Sequence, residues 1–244
     1  MPAPLVSVVL VCRNPGARVR EALESVWAQP ETDCEVVVID GASTDGTREW
    51  LEVQRTRLGA LISEPDRGVY DAMNKGIVAA RGEWIIFLGA DDRLASGDVL
   101  VCATKFLKGT DAGVVVGDAR FDDGRIYRLA PASDVVRRNF VHHQAAFYRR
   151  HLLAGPGRFD AALRLQADYD VNLRLHRAGV RFAPLNLLIA DCTSGGLSDA
   201  GRWANYREEI TVRHRHFPAW QCWLWDLGSV ARYLRKKIVR SRHG

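Results

Sequence analysis

No apolar run in this chain is long enough to cross a bilayer as a helix, which takes about 20 residues. The N-terminus has no basic segment followed by an apolar core, so no secretion signal is expected. Cysteine is sparse: Cys12, Cys34, Cys102, Cys192 and Cys222 stand far apart and form no Cys-x-x-Cys pair. That counts against a zinc site or a disulfide framework and predicts a chain kept in the reducing cytoplasm. No Gly-x-Gly-x-x-Gly follows the first apolar run, and no Gly-x-x-x-x-Gly-Lys-Ser/Thr occurs, which counts against a dinucleotide site and a P-loop ATPase. Internal repeats and low-complexity linkers are also lacking. No acid follows Asp226, whereas Arg232, Arg235, Lys236, Lys237, Arg240 and Arg242 do. Those residues account for more than the net charge of +5, so the body is close to neutral and the basicity belongs to the tail. No nucleic-acid partner is therefore expected.

The 244 residues, 47% of them hydrophobic, suffice for one large domain with a full core, with or without an appendage. Leu5 to Val11 reads as a buried strand that Asn14-Pro15-Gly16 breaks. Val19, Ala22, Leu23, Val26 and Trp27 recur at helical spacing, and Pro30 follows. Glu35 to Ile39 is a second strand ending in Asp40. The turn Gly41 to Thr47 leads into a helix carrying Trp50 and Leu51, with Ser43, Thr44 or Asp45 as its N-cap. Leu58 to Ser63 is a third strand, and a polar loop and short helix run from there to Gly82. Trp84-Ile85-Ile86-Phe87-Leu88, between Gly82 and Gly89, reads as a strand buried on both faces. Strands alternating with helices predict a parallel α/β sheet, with ligand chemistry at the carboxyl ends of its strands.

Asp40 and the adjacent pair Asp91-Asp92 fall at that edge. Paired carboxylates repel, and a divalent cation carrying phosphates is one reason to hold them together. A solvated turn is the alternative, since Gly, Ala and Asp are common in loops. Asp40 is placed to accept hydrogen bonds from a base or ribose, while Arg67 and Lys75 offer positive charge near a diphosphate. Lys75 reads equally well as a solvated helix residue. Farther on, Ala112 to Asp118 is a strand, and Arg120 to Tyr127 a hairpin whose turn takes Asp122-Asp123. Phe159 to Ala178 includes a helix, and Ala183 to Ala190 is a further strand.

Several of these pieces together resemble the family-two glycosyltransferases of GT-A fold. They are Ser7-Val8-Val9, Asp40 to Thr47, Ser63 to Asp66 through Asn74-Lys75-Gly76, and Gly89-Ala90-Asp91-Asp92. Downstream, His143 to Arg150, Ala167-Asp168-Tyr169-Asp170 and Gly195-Gly196-Leu197-Ser198 continue the likeness. It covers roughly residues 5 to 200 in the family's order, nearest the colanic-acid and phenolic-glycolipid branch. The resemblance implies a nucleotide-diphosphate sugar as donor and a hydroxyl of a glycan or lipid-linked acceptor. It implies Mn²⁺ or Mg²⁺ on Asp92 and Asp91, Asp40 on the nucleobase, and Asp168 as the general base of an inverting displacement. His143 and Gln144 are assigned to the acceptor cleft, and Asp170 is grouped with them, although residues two apart on a helix face different ways. Residues 1–92 would form the donor half, 93–200 the acceptor half, and 201–244 a helical extension. Gly195-Gly196 suggests a loop that folds over bound donor.

Two positions depart from the family. Gly89 stands where its metal motif often has a first Asp, and Cys12-Arg13 stands where some relatives place an aromatic for the base. A non-catalytic sugar- or partner-binding module on the same fold is the competing reading. A nucleotidyltransferase, which would release pyrophosphate, is a third.

In the tail, Trp220, Trp223, Leu224, Leu227, Val230, Ala231, Leu234 and Ile238 recur at helical spacing beside the basic residues. That pattern predicts an amphipathic helix on an anionic membrane surface, hence a cytoplasmic protein held peripherally at the inner face. The alternative packs the stripe back on the domain.

Overall fold

The structure is a computed structural model that describes residues 3–30, 33–129, 135–194 and 203–241. Gly195-Gly196-Leu197-Ser198 and Arg242 lie outside the described residues. The first half alternates β1 (Val6–Cys12), α1 (Arg18–Trp27), β2 (Cys34–Asp40), α2 (Thr47–Val53), β3 (Ala60–Ser63), α3 (Val69–Ala79) and β4 (Trp84–Gly89). All seven residues of β1 are buried, as expected for a strand covered on both faces. Its side chains alternate: Val8 and Leu10 face α1 and the core on that side, Val9 and Val11 the core against α3.

Strands β1 to β4 pair in parallel, and the register levels their carboxyl ends. Cys12 lies opposite Asp40, Asp40 opposite Ser63, and Val11 opposite Gly89. The two acidic sites read from the sequence thus share one edge. The cap of α2 differs from expectation. Gly46, at φ +88°, takes the N-cap position, where a residue with a Cβ would be strained. Asp45 still accepts the Thr47 N–H at 3.1 Å.

The second half contributes β5 (Arg93–Leu94), α4 (Val99–Lys108), β6 (Val114–Phe121), β7 (Ile126–Tyr127), β8 (Ala146–Arg149), α5 (Ala167–Arg177) and β9 (Phe182–Cys192). Helices α6 (Trp203–His216) and α7 (Ala219–Ser241) follow. Among the described residues the strands form one sheet, in the order β3-β2-β1-β4-β8-β6-β9-β5, with β7 on β6. The parallel pattern of the first half gives way where β8 enters antiparallel between β4 and β6. Only Ala90, Asp91 and Asp92 separate β4 from β5 in sequence, yet β8, β6 and β9 lie between them in the sheet. The sheet must therefore curl until its far edge returns to the end of β4. Asp91 and Asp92 are the seam of that curl.

Candidate active site

At the seam, Asp92 is buried and Asp91 exposed. Asp92 accepts the Gly89 N–H at 3.1 Å through Oδ2 and the Thr193 N–H at 3.3 Å through Oδ1. The Thr193 hydroxyl donates to the Asp91 carbonyl at 2.7 Å, which closes the end of β9 onto the seam. Burial, and then the neighbouring charge of Asp91, push the Asp92 carboxyl above its ordinary range. Gly89 has a geometric reason. A Cβ there would stand 2.9 Å from both Asp91 Oδ1 and Asp92 Oδ2, so the carboxylates fill the space a side chain would need. A cavity of about 460 Å³ opens beside the pair, lined among others by Arg18, Arg93, Arg120 and Asp122. Arg120 is anchored by two hydrogen bonds to Asp191, at 2.7 and 3.0 Å.

Two oxygens, one from each Asp, converge at the Gly89 position. This hard-donor pair suits Mn²⁺ or Mg²⁺, which take oxygen ligands and keep places for water and phosphate. Among the described residues no cluster of three or more His, Cys, Asp or Glu side chains surrounds such a point.

Asp40 is fully enclosed. Both its oxygens take the Ser43 N–H, at 3.2 and 3.1 Å, and the Ser63 hydroxyl donates at 2.6 Å, with the Ser43 hydroxyl a further donor. Asp40 thus shapes the loop from 41 to 47. Asn14 stitches that loop to the end of β1, donating its N–H to Ser43 and accepting from Thr44, each at 2.7 Å. Lys75 reaches back to the Pro65 carbonyl at 2.7 Å and to Glu64 at 2.9 Å, fastening the loop before α3. Arg67 leans on Asp71 at 3.4 Å and is 82% exposed.

Asp168 stands in the first turn of α5 and is buried. Its Oδ1 accepts the Tyr70 hydroxyl at 3.1 Å and the Tyr169 N–H at 2.9 Å. Oδ2 accepts the Asn139 amide at 2.8 Å and faces His143 Nδ1 at 3.4 Å. Burial alone would raise this carboxyl, but the hydrogen bond and charge of His143 and the Tyr169 N–H outweigh it and hold it below its ordinary range. Tyr70 is pushed well above its own, by burial and then by Asp168, so it remains a donor. His143 is also near enough to Asp92 for its charge to act against the upward push on that carboxyl. Gln144 Oε1 is buried with no hydrogen-bond donor among the described residues.

The structure separates Asp170 from this group. Its carboxylate takes Arg174 at 2.9 Å and His216 at 2.8 Å, joining α5 to α6. Residues not singled out from the sequence hold the site instead. Tyr70 and Asn139 fix Asp168, and Glu208 of α6 accepts the N–H groups of Arg164, Leu165 and Gln166 at 2.9, 2.6 and 2.7 Å, just before it. Asn74, part of the quoted motif, bonds the Phe159 backbone at 2.8 and 3.0 Å and ties the two halves together. Apart from the Tyr169 N–H, the partners of Asp168 and Asn74 lie 25 to 98 residues away, and those of Glu208 lie 42 to 44 away, so no local pattern marks them.

A family model described as Glycosyl transferase family 2 matches residues 7–168. The chain is 36% identical over 181 residues to the PGL/p-HBAD biosynthesis glycosyltransferase of Mycobacterium tuberculosis, covering 71% of this chain and 70% of that one. It is 31% identical over 193 residues to the succinoglycan biosynthesis protein ExoO of Rhizobium meliloti, covering 68% of this chain and 54% of the relative. Among solved structures, S. aureus TarS 1-349 in complex with UDP-GlcNAc superposes with a TM-score of 0.68 at 20% identity, over 85% of this chain and 65% of that one. The mannosyltransferase PcManGT from Pyrobaculum calidifontis, in complex with GDP-Man and Mn2+, gives 0.65 at 24% identity, over 96% of this chain and 70% of that one. Both show the GT-A fold. By its motifs, its fold and these matches, the chain belongs to glycosyl transferase family 2.

Proposed function

We propose that this glycosyltransferase is inverting and metal-dependent. It moves a sugar from a nucleotide-diphosphate donor to a hydroxyl of a glycan or lipid-linked acceptor, in cell-surface polysaccharide or glycolipid biosynthesis. The observation that carries this reading is Asp168: a buried carboxylate held below its ordinary range in a fixed network of Tyr70, Asn139 and His143. The nucleotide sugars in TarS and PcManGT support the donor class, and the PcManGT ion supports the cation. Asp91 and Asp92 would hold Mn²⁺ or Mg²⁺, which supplies positive charge to the departing diphosphate.

Asp168 takes the proton of the acceptor hydroxyl as that oxygen bonds to the anomeric carbon. The bond from that carbon to the diphosphate breaks, and its electron pair leaves with the diphosphate. One displacement from the opposite face inverts the centre and needs no enzyme nucleophile. Tyr70 and Asn139 fix the direction of Asp168, so little reorganisation is needed when the proton moves. His143 and the unpartnered Gln144 carbonyl face the acceptor. On the donor side, Asp40 holds the loop that meets the nucleobase. Arg67, and Lys75 through its grip on the 64–66 segment, bring positive charge toward the diphosphate.

The enzyme works in the cytoplasm, peripherally at the inner face of a membrane. No helix among the described residues is long and apolar enough to cross one, and α7 carries an exposed apolar stripe. The test is release of nucleoside diphosphate from a panel of UDP, GDP and dTDP sugars, with and without Mn²⁺. We expect release from at least one donor, dependent on the ion. Full release in a chelator would remove the metal from this reading, and a chain that releases none but forms pyrophosphate from a nucleoside triphosphate and a sugar 1-phosphate would be a nucleotidyltransferase.

A further inference from the structure

Helix α7 turns its broad apolar stripe away from the protein. Its inward side carries the buried Cys222, Trp225 against Phe217 and Tyr233 against Trp203 and Tyr206, together with a polar cluster: Asp226 accepts from Arg213 at 2.8 Å, and Ser229 accepts from the same guanidinium at 2.7 Å. Arg232 closes the cluster on Glu209 at 2.6 Å. Arg213 and Ser229 are completely buried there. Two tryptophans and the long aliphatic residues point the other way. Trp220 is 71% exposed and Leu224 60%, and Trp223, Leu227, Leu234 and Ile238 are exposed as well. At 3.6 residues per turn these six side chains fall within a sector of about 100°, with Arg235 and Lys237 on its two flanks. Both flanking residues are exposed.

An amphipathic helix on a globular domain ordinarily buries its apolar side, because that removes the most surface from water. Here the inward side is held by that polar cluster and by the Trp225 and Tyr233 contacts, so α7 cannot roll its stripe inward without stranding Arg213, Glu209 and Asp226. The stripe is thus left open to a partner. A second copy of this chain is a poor one: beyond Asp226 the helix offers no acid to meet the basic residues of its twin. An anionic bilayer meets both features, the headgroup layer taking tryptophans and the phosphates meeting the flanking cations.

We propose that the outward face of α7 is a preformed docking surface for anionic lipid headgroups, with Trp220, Trp223, Leu224, Leu227 and Leu234 entering the interface. This rests on the membrane-side location given above and names the surface and its ligand. Because α7 is already packed on α6, docking needs no folding of the segment.

The test uses the full chain and co-sedimentation with vesicles of phosphatidylcholine alone or mixed with phosphatidylglycerol. Wild type should pellet with the mixed vesicles. Leu227→Glu/Leu234→Glu should cut that partition roughly tenfold or more, and Arg235→Glu/Lys237→Glu should erase the preference for anionic lipid. All four side chains point outward, so melting temperature and nucleoside diphosphate release should be unchanged. In wild type, tryptophan emission should also be quenched by brominated lipid, a readout that needs no variant. Wild type that ignores anionic vesicles, or an equal pellet for the leucine pair, overturns the proposal. So does a dimer that the leucine pair dissociates in the absence of any vesicle binding. Vesicle binding in a chain that releases no nucleoside diphosphate sustains the docking face and counts against the transferase reading instead.

Discussion

Asp168 and Asp92 are both buried carboxyls, and their surroundings push them in opposite directions. Asp168 is depressed below the ordinary 3.8, so its ionisation stabilises the fold above that value and is lost as pH falls through its own, lower one. Asp92 is raised, so its charge costs stability at neutral pH, and that cost disappears as it protonates on acidification. A cation on the seam reverses the sign at Asp92. Saturating Mn²⁺ at pH 7, at about a hundredfold over Kd, should raise the melting temperature by about 5 °C or more, and Asp92→Asn should abolish the shift. The acid limb of activity should follow Asp92, with its higher value, and move to lower pH as Mn²⁺ is raised. Asp168→Asn should cut kcat roughly a hundredfold or more while leaving donor KM nearly unchanged, measured by initial rates. Asp170→Asn should lower the melting temperature and spare kcat, because Asp170 serves Arg174 and His216. If it proves the more damaging to turnover, the base is misassigned.

Among the elements, β1, β2 and β4 were legible because a strand covered on both faces needs an unbroken apolar run, and each has one. Helix α4 carries Val99, Leu100, Ala103 and Leu107 at helical spacing, a period legible in the sequence although no strand-ending motif flags it. Helix α6 has no apolar stripe to separate it from the rest of the helical extension: its charged residues go all round, and two of them, Glu209 and Arg213, are buried. Pairing decides that, and pairing is not a local property. Arg213 should be the costliest of these to lose. Arg213→Met leaves Glu209 and Asp226 without their shared cation and should destabilise the fold by about 3–5 kcal/mol in denaturant titration.

At the scale of the whole molecule, one sheet passes through both proposed halves, and Asn74 and Glu208 cross-tie them. Calorimetry should therefore show a single unfolding transition with matching van't Hoff and calorimetric enthalpies; two resolved transitions would divide the chain into independent units. The amino-acid order by itself determined the alternation of strands and helices and the placing of Asp40, Asp91-Asp92 and Asp168 at element ends. It did so because hydrophobic period and turn chemistry act within a few residues. Only the tertiary structure decided that the sheet curls to make Asp91-Asp92 its seam, and that Asp170 belongs to the α5–α6 joint. It likewise decided that Tyr70, Asn139 and His143 converge on Asp168, and that α7 turns its apolar stripe outward. Each of these depends on contacts between segments distant in sequence, settled by which buried charges find partners, and an amphipathic pattern alone does not say which side of a helix faces the protein.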